Sequence, residues 1–489
     1  MTDDNRAEPD ETLDAKLSEV LPEAITPPLT SGKGKVDLTE GPVQGHIFRM
    51  LGPFAIAVIA LLSAGIVDTI YLGNLTNIDG DPALGVLALA AVGFAYPLTF
   101  LGNSVNIGLG AGTMSALSRA IGSGQYEKAK RHAAAAILFA LFVMTLTVAF
   151  IWITLPFALD FLGAKGQARE MAREYMLISL PGLVVVSIAM ISNNILRAGG
   201  EAILPSAIMI MGAILNIIID PFLIFGFGPF PRLEVQGAAI ATVLGNSIAA
   251  IFGFYIVQFR RKAVDFAHMT MASIRHAWWI IGRVGIVAAV TNVVVPAGTF
   301  LAVAAVQRTG GDIYNAAFTL TSRAELISVG VLYGLSACIG AVTGQNGGAG
   351  LTDRVEETFR VCYKICLYWS TGMAIILAVL AGPITGLFTN DPQVYDLAKS
   401  YFWIVPITIA GYGFVFVSAA GFNALGRPLY GLSYTVIRSL LLYAPLVAIG
   451  VSLDDLRGAF IGIAAANIIS GSIAYYWSLH KAPMIAKDG

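Results

Sequence analysis

Charge is scarce in this sequence. Only 12% of its 489 residues are Asp, Glu, Lys or Arg, while 56% are apolar; soluble chains carry about 25% charged residues. The formal net charge of −1 supplies no basic face, which excludes nucleic acid as a partner. Histidine is nearly missing too. His46, His132, His268, His276 and His480 lie at or beyond the ends of apolar runs, so proton chemistry inside them would fall to carboxylates. Cys338, Cys362 and Cys366 have no His or second Cys pair nearby and read as small buried thiols, not as a metal site. There is no basic stretch leading into an apolar core at the start, and eight acids in the first 23 positions argue against a transit peptide. No HExxH, nucleophile elbow or intramembrane histidine points to a membrane-embedded enzyme, and no filter-like loop or charge ring to a channel.

What is abundant is uninterrupted apolar sequence. Twelve segments approach or exceed the ~20 residues that a spanning helix needs: 50–73, 84–110, 132–157, 174–196, 203–227, 236–258, 282–306, 313–343, 362–386, 401–424, 429–451 and 457–479. The tails, the even-to-odd loops and their flanks hold 21 of the 30 Lys and Arg, against seven on the other side. The positive-inside rule then places both termini in the cytoplasm of the plasma (inner) membrane.

The two halves resemble each other. Arg119-Ala-Ile-Gly-Ser-Gly124 aligns with Gln345-Asn-Gly-Gly-Ala-Gly350, Ala90-Ala91 with Ala316-Ala317 and Gly200 with Gly426, all at one offset. Six spans repeated in parallel predict an all-α membrane protein of two six-helix lobes, related by a pseudo-two-fold axis along the membrane normal. The division expected is a disordered cytoplasmic tail 1–46, an N-lobe 47–260, an inter-lobe loop 261–281, a C-lobe 282–480 and a tail 481–489. A monomer is expected, with the bilayer and small organic molecules as partners and no cofactor beyond a coupling ion.

Polar residues within spans break the repeat. Asp68 in span 1 has no acid at the equivalent place in span 7, and Asn216 with Asp220 in span 5 has none in span 11. Asn216 and Asp220 are four apart and share one helix face. A carboxylate at that depth costs about 2.5–3.5 kcal/mol on insertion scales, so it faces a protein interior or a wet cavity. Two such acids from different helices would bind one proton or hold one cation between them. For Asp68 a place at the outer end of its span, reaching to water, stays open. Tyr175, Asn193 and Thr242 are further polar positions, with interhelical hydrogen bonding as the plainer reading. Arg323 and Glu325 form a second candidate polar site, with Arg438 as an alternative partner for Glu325. Pro53 in span 1 is a candidate bending point. The apolar, aromatic content suits bulky amphipathic or cationic organic substrates.

The motifs LTEGP, VDTIYLG, LSRAIGSGQYEKAKR, GAAIAT, TGQNGGAG and FNALGRP, with the whole stretch around NIIIDPF, resemble the multidrug and toxic compound extrusion (MATE) family. The resemblance runs from Leu38 to about Tyr476. It implies twelve helices and secondary active export driven by inward H⁺ or Na⁺. In the DinF-like branch it implies an N-lobe coupling site, which falls here on Asp68, Tyr175, Asn193, Asn216, Asp220 and Thr242, with Pro53 where helix 1 bends. Na⁺, if used, would sit at Asp68, Asn216 and Asp220; no other metal is implied. Span 10 lacks the acid of the NorM-type pattern. A lipid or lipid-linked precursor flippase of the same superfamily is the alternative reading.

Overall fold

A computed structural model of the chain describes residues 37–76, 83–389 and 391–488, and among them there is no strand. In a bilayer every backbone N–H and C=O must be satisfied within the protein, which leaves an apolar chain of this kind to form helices. Twelve are long and apolar enough to span: α1 Val43–Gly73, α2 Leu84–Gly122, α3 Tyr126–Phe161, α4 Gly166–Ala198, α5 Ile203–Ile224, α6 Glu234–Arg260, α7 Met271–Gly311, α8 Ser328–Gly348, α9 Thr352–Gly386, α10 Pro392–Ala424, α11 Pro428–Leu453 and α12 Leu456–Lys487. The predicted all-helical, twelve-span architecture is the one found.

Several boundaries move outward. Residues 37–46 fall in the tail drawn from the sequence, yet Val43 opens α1 and both Leu38 and Val43 are fully buried. The acidic composition of the first thirty residues hides the packing role of Leu38-Thr-Glu-Gly-Pro. α7 starts at Met271, inside the expected inter-lobe loop, because Thr270 caps it: the Ser273 amide donates to Thr270 Oγ1 at 3.2 Å and the Thr270 amide to Ser273 Oγ at 2.9 Å. α12 likewise runs into the stretch assigned to the C-terminal tail.

Breaks are placed by glycine and proline. α7 and α8 belong to one helical run, Met271–Gly348, interrupted at Gly311 (φ 61°, ψ −147°), a conformation open to glycine and strained for other residues. α10 changes to a 3₁₀ turn over Pro406–Thr408. Ser370 of α9 repairs that break, its Oγ donating to Pro406 O at 2.7 Å and accepting from the Ala410 amide at 3.0 Å.

In the first lobe α4, α5 and α6 pack together, with α1 against α5 and α2 against α4; in the second, α10, α11 and α12 pack together, with α9 beside α8 and α12. The lobes meet chiefly along α2, which lies against the Met271–Gly348 run. Gly108 and Gly112 have no room for a Cβ there, since Gly285, Ala289 and Ile281 backbone atoms press on them. Cross-lobe hydrogen bonds reinforce the contact at the face carrying the start of α1 and the end of α12 (the terminus face). Ser115 Oγ donates to Ala424 O at 3.1 Å and Gln345 Nε2 to Ala198 O at 2.7 Å.

Candidate functional site

Between the lobes lies a cavity of about 740 Å³. Its N-lobe wall includes Asp68 from α1, Tyr175 and Asn193 from α4, Asn216 from α5 and Thr242 from α6. Five residues singled out from the sequence thus share one surface. Asp220 stands immediately behind it, fully buried.

The i,i+4 spacing on α5 does what helix geometry requires. Asn216 Nδ2 lies 3.5 Å from Asp220 Oδ1 and donates to Thr242 Oγ1 at 3.2 Å, tying α5 to α6. Asp68 arrives from a different helix, and its carboxyl group comes within electrostatic reach of that of Asp220. The arrangement thus departs from the alternative of Asp68 reaching out to water. Asp68 Oδ1 and Asp220 Oδ2 are buried and meet no donor from another residue. Two carboxylates cannot touch in a low-dielectric pocket without a proton or cation between them. Tyr175 lies within electrostatic reach of both acids. Asn193 Oδ1 is buried and unpartnered at the same wall. Among the described residues no group of three His, Cys, Asp or Glu side chains forms a metal cluster, so a cation here would depend on two carboxylates with amide and hydroxyl oxygens. The three cysteines are free and buried.

Pro53 sits within α1 without ending it, one long stretch of helix before Asp68 (about 22 Å at 1.5 Å per residue). Its neighbours Leu51, Phe54 and Ala55 pack on Gly334 of α8, so the proline lies where α1 meets the second lobe.

The second candidate polar site is rearranged. The side chain of Arg323 lies outside the described residues. Glu325 is set in the electrostatic field of Arg438, beside the Tyr401 hydroxyl. Arg438 lies in a π-helical turn of α11, Ile437–Tyr443, is only 4% exposed, and lines the cavity. Its guanidinium lies 3.5 Å over the Tyr412 ring, while Nε and Nη2 donate to Asn467 Oδ1 at 3.2 and 3.0 Å. Tyr412, Asn467 and Arg197 (another cavity-lining cation) were not singled out from the sequence. An arginine within a span was the available signal; its aromatic partner was not predictable from spacing.

A family model described as MatE matches residues 53–222 and 288–449, once in each lobe. The chain belongs to the MATE family. It is 31% identical over 446 residues to a FAD transporter of Shewanella oneidensis, covering 91% of this chain and 96% of that one. It is 27% identical over 452 residues to the multidrug export protein MepA of Staphylococcus haemolyticus, covering 88% and 93%. A solved structure described as an outward-facing conformation of a multidrug resistance MATE family transporter superposes with TM-score 0.85 at 25% identity, over 94% of this chain and 100% of that chain. The protein is therefore a multi-pass membrane transporter with the two-lobed MATE fold, and its family performs transport, not enzymatic chemistry.

Proposed function

We propose that this chain is a cation-coupled antiporter that exports amphipathic organic compounds, with H⁺ or Na⁺ bound at Asp68 and Asp220. The observation that carries the reading is the convergence of Asp68 from α1 with Asn216 and, one turn behind it, buried Asp220 from α5 at one wall of a cavity wide enough for an organic molecule. Occupancy by one positive charge holds α1 against α5; its loss leaves two anions that repel and drives the helices apart. Asn216 and Thr242 orient Asp220, Tyr175 and Asn193 complete the polar wall, and Pro53 lets the inner part of α1 bend while its outer part follows the charge. This is the N-lobe site that the resemblance to the DinF-like branch implies.

The lysine and arginine bias supports placing the terminus face in the cytoplasm of the plasma membrane. With the lobes closed together at that face, the chain is in its outward-facing state, in keeping with its likeness to an outward-facing relative. That MepA is a multidrug exporter and another relative a FAD transporter supports an organic cargo.

The test is uptake of candidate compounds into inside-out vesicles, with a pH or Na⁺ gradient imposed separately. Asp68→Asn and Asp220→Asn should each abolish gradient-driven uptake. Full transport in both variants would remove the coupling site from these residues.

A further inference from the structure

The wall of the cavity opposite the acids carries the other sign of charge. Of the acidic and basic side chains lining the cavity among the described residues, Asp68 is the acid; the bases are Arg438 on the opposite wall and Arg197 of α4 on the N-lobe wall. Once Asp68 shares its charge with a proton or cation, the lining holds, among the described residues, two guanidinium groups and no uncompensated carboxylate. This is the reverse of the field a cationic substrate would need.

Arg438 is built to stay there. It is 4% exposed, at a depth where an unpaired cation is costly. Among the described residues it makes no ion pair within 4.0 Å, although Glu325 lies within electrostatic reach. Asn467 takes two of its N–H groups and is itself fixed, its Nδ2 donating to Thr408 Oγ1 at 3.3 Å. The Tyr412 ring, 3.5 Å beneath the guanidinium, sets its plane. Arg438 also lines the cavity. Beside it on the same wall, Tyr333 and Phe416 pack edge to face with centroids 4.6 Å apart, and Tyr412 packs on Phe416 at 6.0 Å. A fixed planar cation next to an aromatic corner recognises a ring bearing an anionic group, because the guanidinium fork matches carboxylate, sulfonate or phosphate oxygens.

We infer that the C-lobe wall is a binding subsite for aromatic organic anions, with the anionic group on Arg438 and the ring against Tyr333 and Phe416. The inference rests on the reading of this cavity as the substrate path, and it narrows the sequence expectation of amphipathic or cationic cargo to amphipathic anions.

The experiment uses the full chain in lipid nanodiscs without any gradient. Two fluorescent probes share one ring system: anilinonaphthalene sulfonate and its uncharged parent phenylnaphthylamine. The wild type should bind the sulfonate at least tenfold more tightly after subtraction of empty-disc signal. Arg438→Gln should remove that preference and leave the uncharged probe's affinity unchanged, and Arg438→Lys should restore part of it. No preference in the wild type would overturn the inference. So would an equal loss of both probes in Arg438→Gln and Arg438→Lys, since the arginine would then only brace Tyr412 and Asn467. Because binding is read without a gradient, a failure of Asp68 and Asp220 to couple transport would leave the probe result intact, and the two readings fail separately.

Discussion

Gly122 of the first lobe lies against the backbone carbonyl of Gln345 in the second, with no space for a Cβ between them. The mirror of this contact is also present: Gly348 lies against the carbonyl of Arg119. These are the aligned positions of the two glycine hexads, so the repeats touch each other across the pseudo-two-fold axis. Gln345 also reaches Ala198 O, while Arg119 presses on Gly426, the partner of Gly200 in the repeat. The terminus face is thus sealed by one motif meeting its own copy.

Filling that contact should unseal it. Gly122→Ala or Gly348→Ala puts a methyl group into the opposite lobe's backbone, and overpacking of this kind costs about 1–3 kcal/mol. The cost applies only to the closed terminus face, so the ratio of outward- to inward-facing molecules should fall by about 5- to 150-fold. Spin-label distances across the terminus face should lengthen in both variants. Unchanged distances would show that the hexads do not control the state.

Arg354 offers a second way to loosen the same face. Its guanidinium donates to Gly41 O at 2.7 Å, Leu38 O at 3.0 Å and Asn346 Oδ1 at 2.7 Å, and Asn346 Nδ2 donates to Leu38 O at 3.1 Å. Hydrogen bonds to a charged group contribute about 1.5–3 kcal/mol each. Arg354→Ala should raise amide exchange selectively across residues 38–42 and lower the thermal midpoint, with little change in the α4 to α6 core. Exchange that rises evenly throughout would point to general destabilisation instead.

Asn216 joins the acid pair to α6, through Thr242. Asn216→Ala removes one donor near Asp220 and one interhelical bond, each about 1 kcal/mol. The cation concentration for half-maximal transport should rise by roughly five- to thirtyfold, with substrate binding in the absence of a gradient preserved. Thr242→Ala should show the smaller effect in the same assay.

Outside the spans, Glu201 forms a buried ion pair with Arg261 at 2.8 Å. Burial pushes the Glu201 carboxyl above its ordinary range, and the nearby Arg261 only partly offsets this. A folded-state acid with a raised pKa binds its proton more tightly than the unfolded chain does. Its contribution to stability is full below the ordinary value of 4.5 and declines as pH rises through the raised one. The thermal midpoint of the wild type should carry this decline, and Glu201→Gln should flatten it. Glu201→Ala should cost more than Gln, because Gln keeps a carbonyl oxygen that can accept from the Arg261 guanidinium while Ala does not.

Much of this protein was legible as sequence. A bilayer forces every backbone group to be satisfied locally, so the twelve spans and their order follow from runs of apolar residues alone. The Asn216–Asp220 face is equally local, set by four residues of helix, and the hexad repeat is a matter of spacing. Between helices the sequence is silent, because rotation and tilt about each axis depend on how all twelve pack. Only the packed structure set Asp68 of α1 against Asp220 of α5, stacked Arg438 on Tyr412 within the reach of Glu325, and brought Gly122 to Gln345. It also moved the fold's edges, since the burial of Leu38 and the capping of α7 at Thr270 are tertiary and cap contacts that an acidic tail and a basic loop conceal.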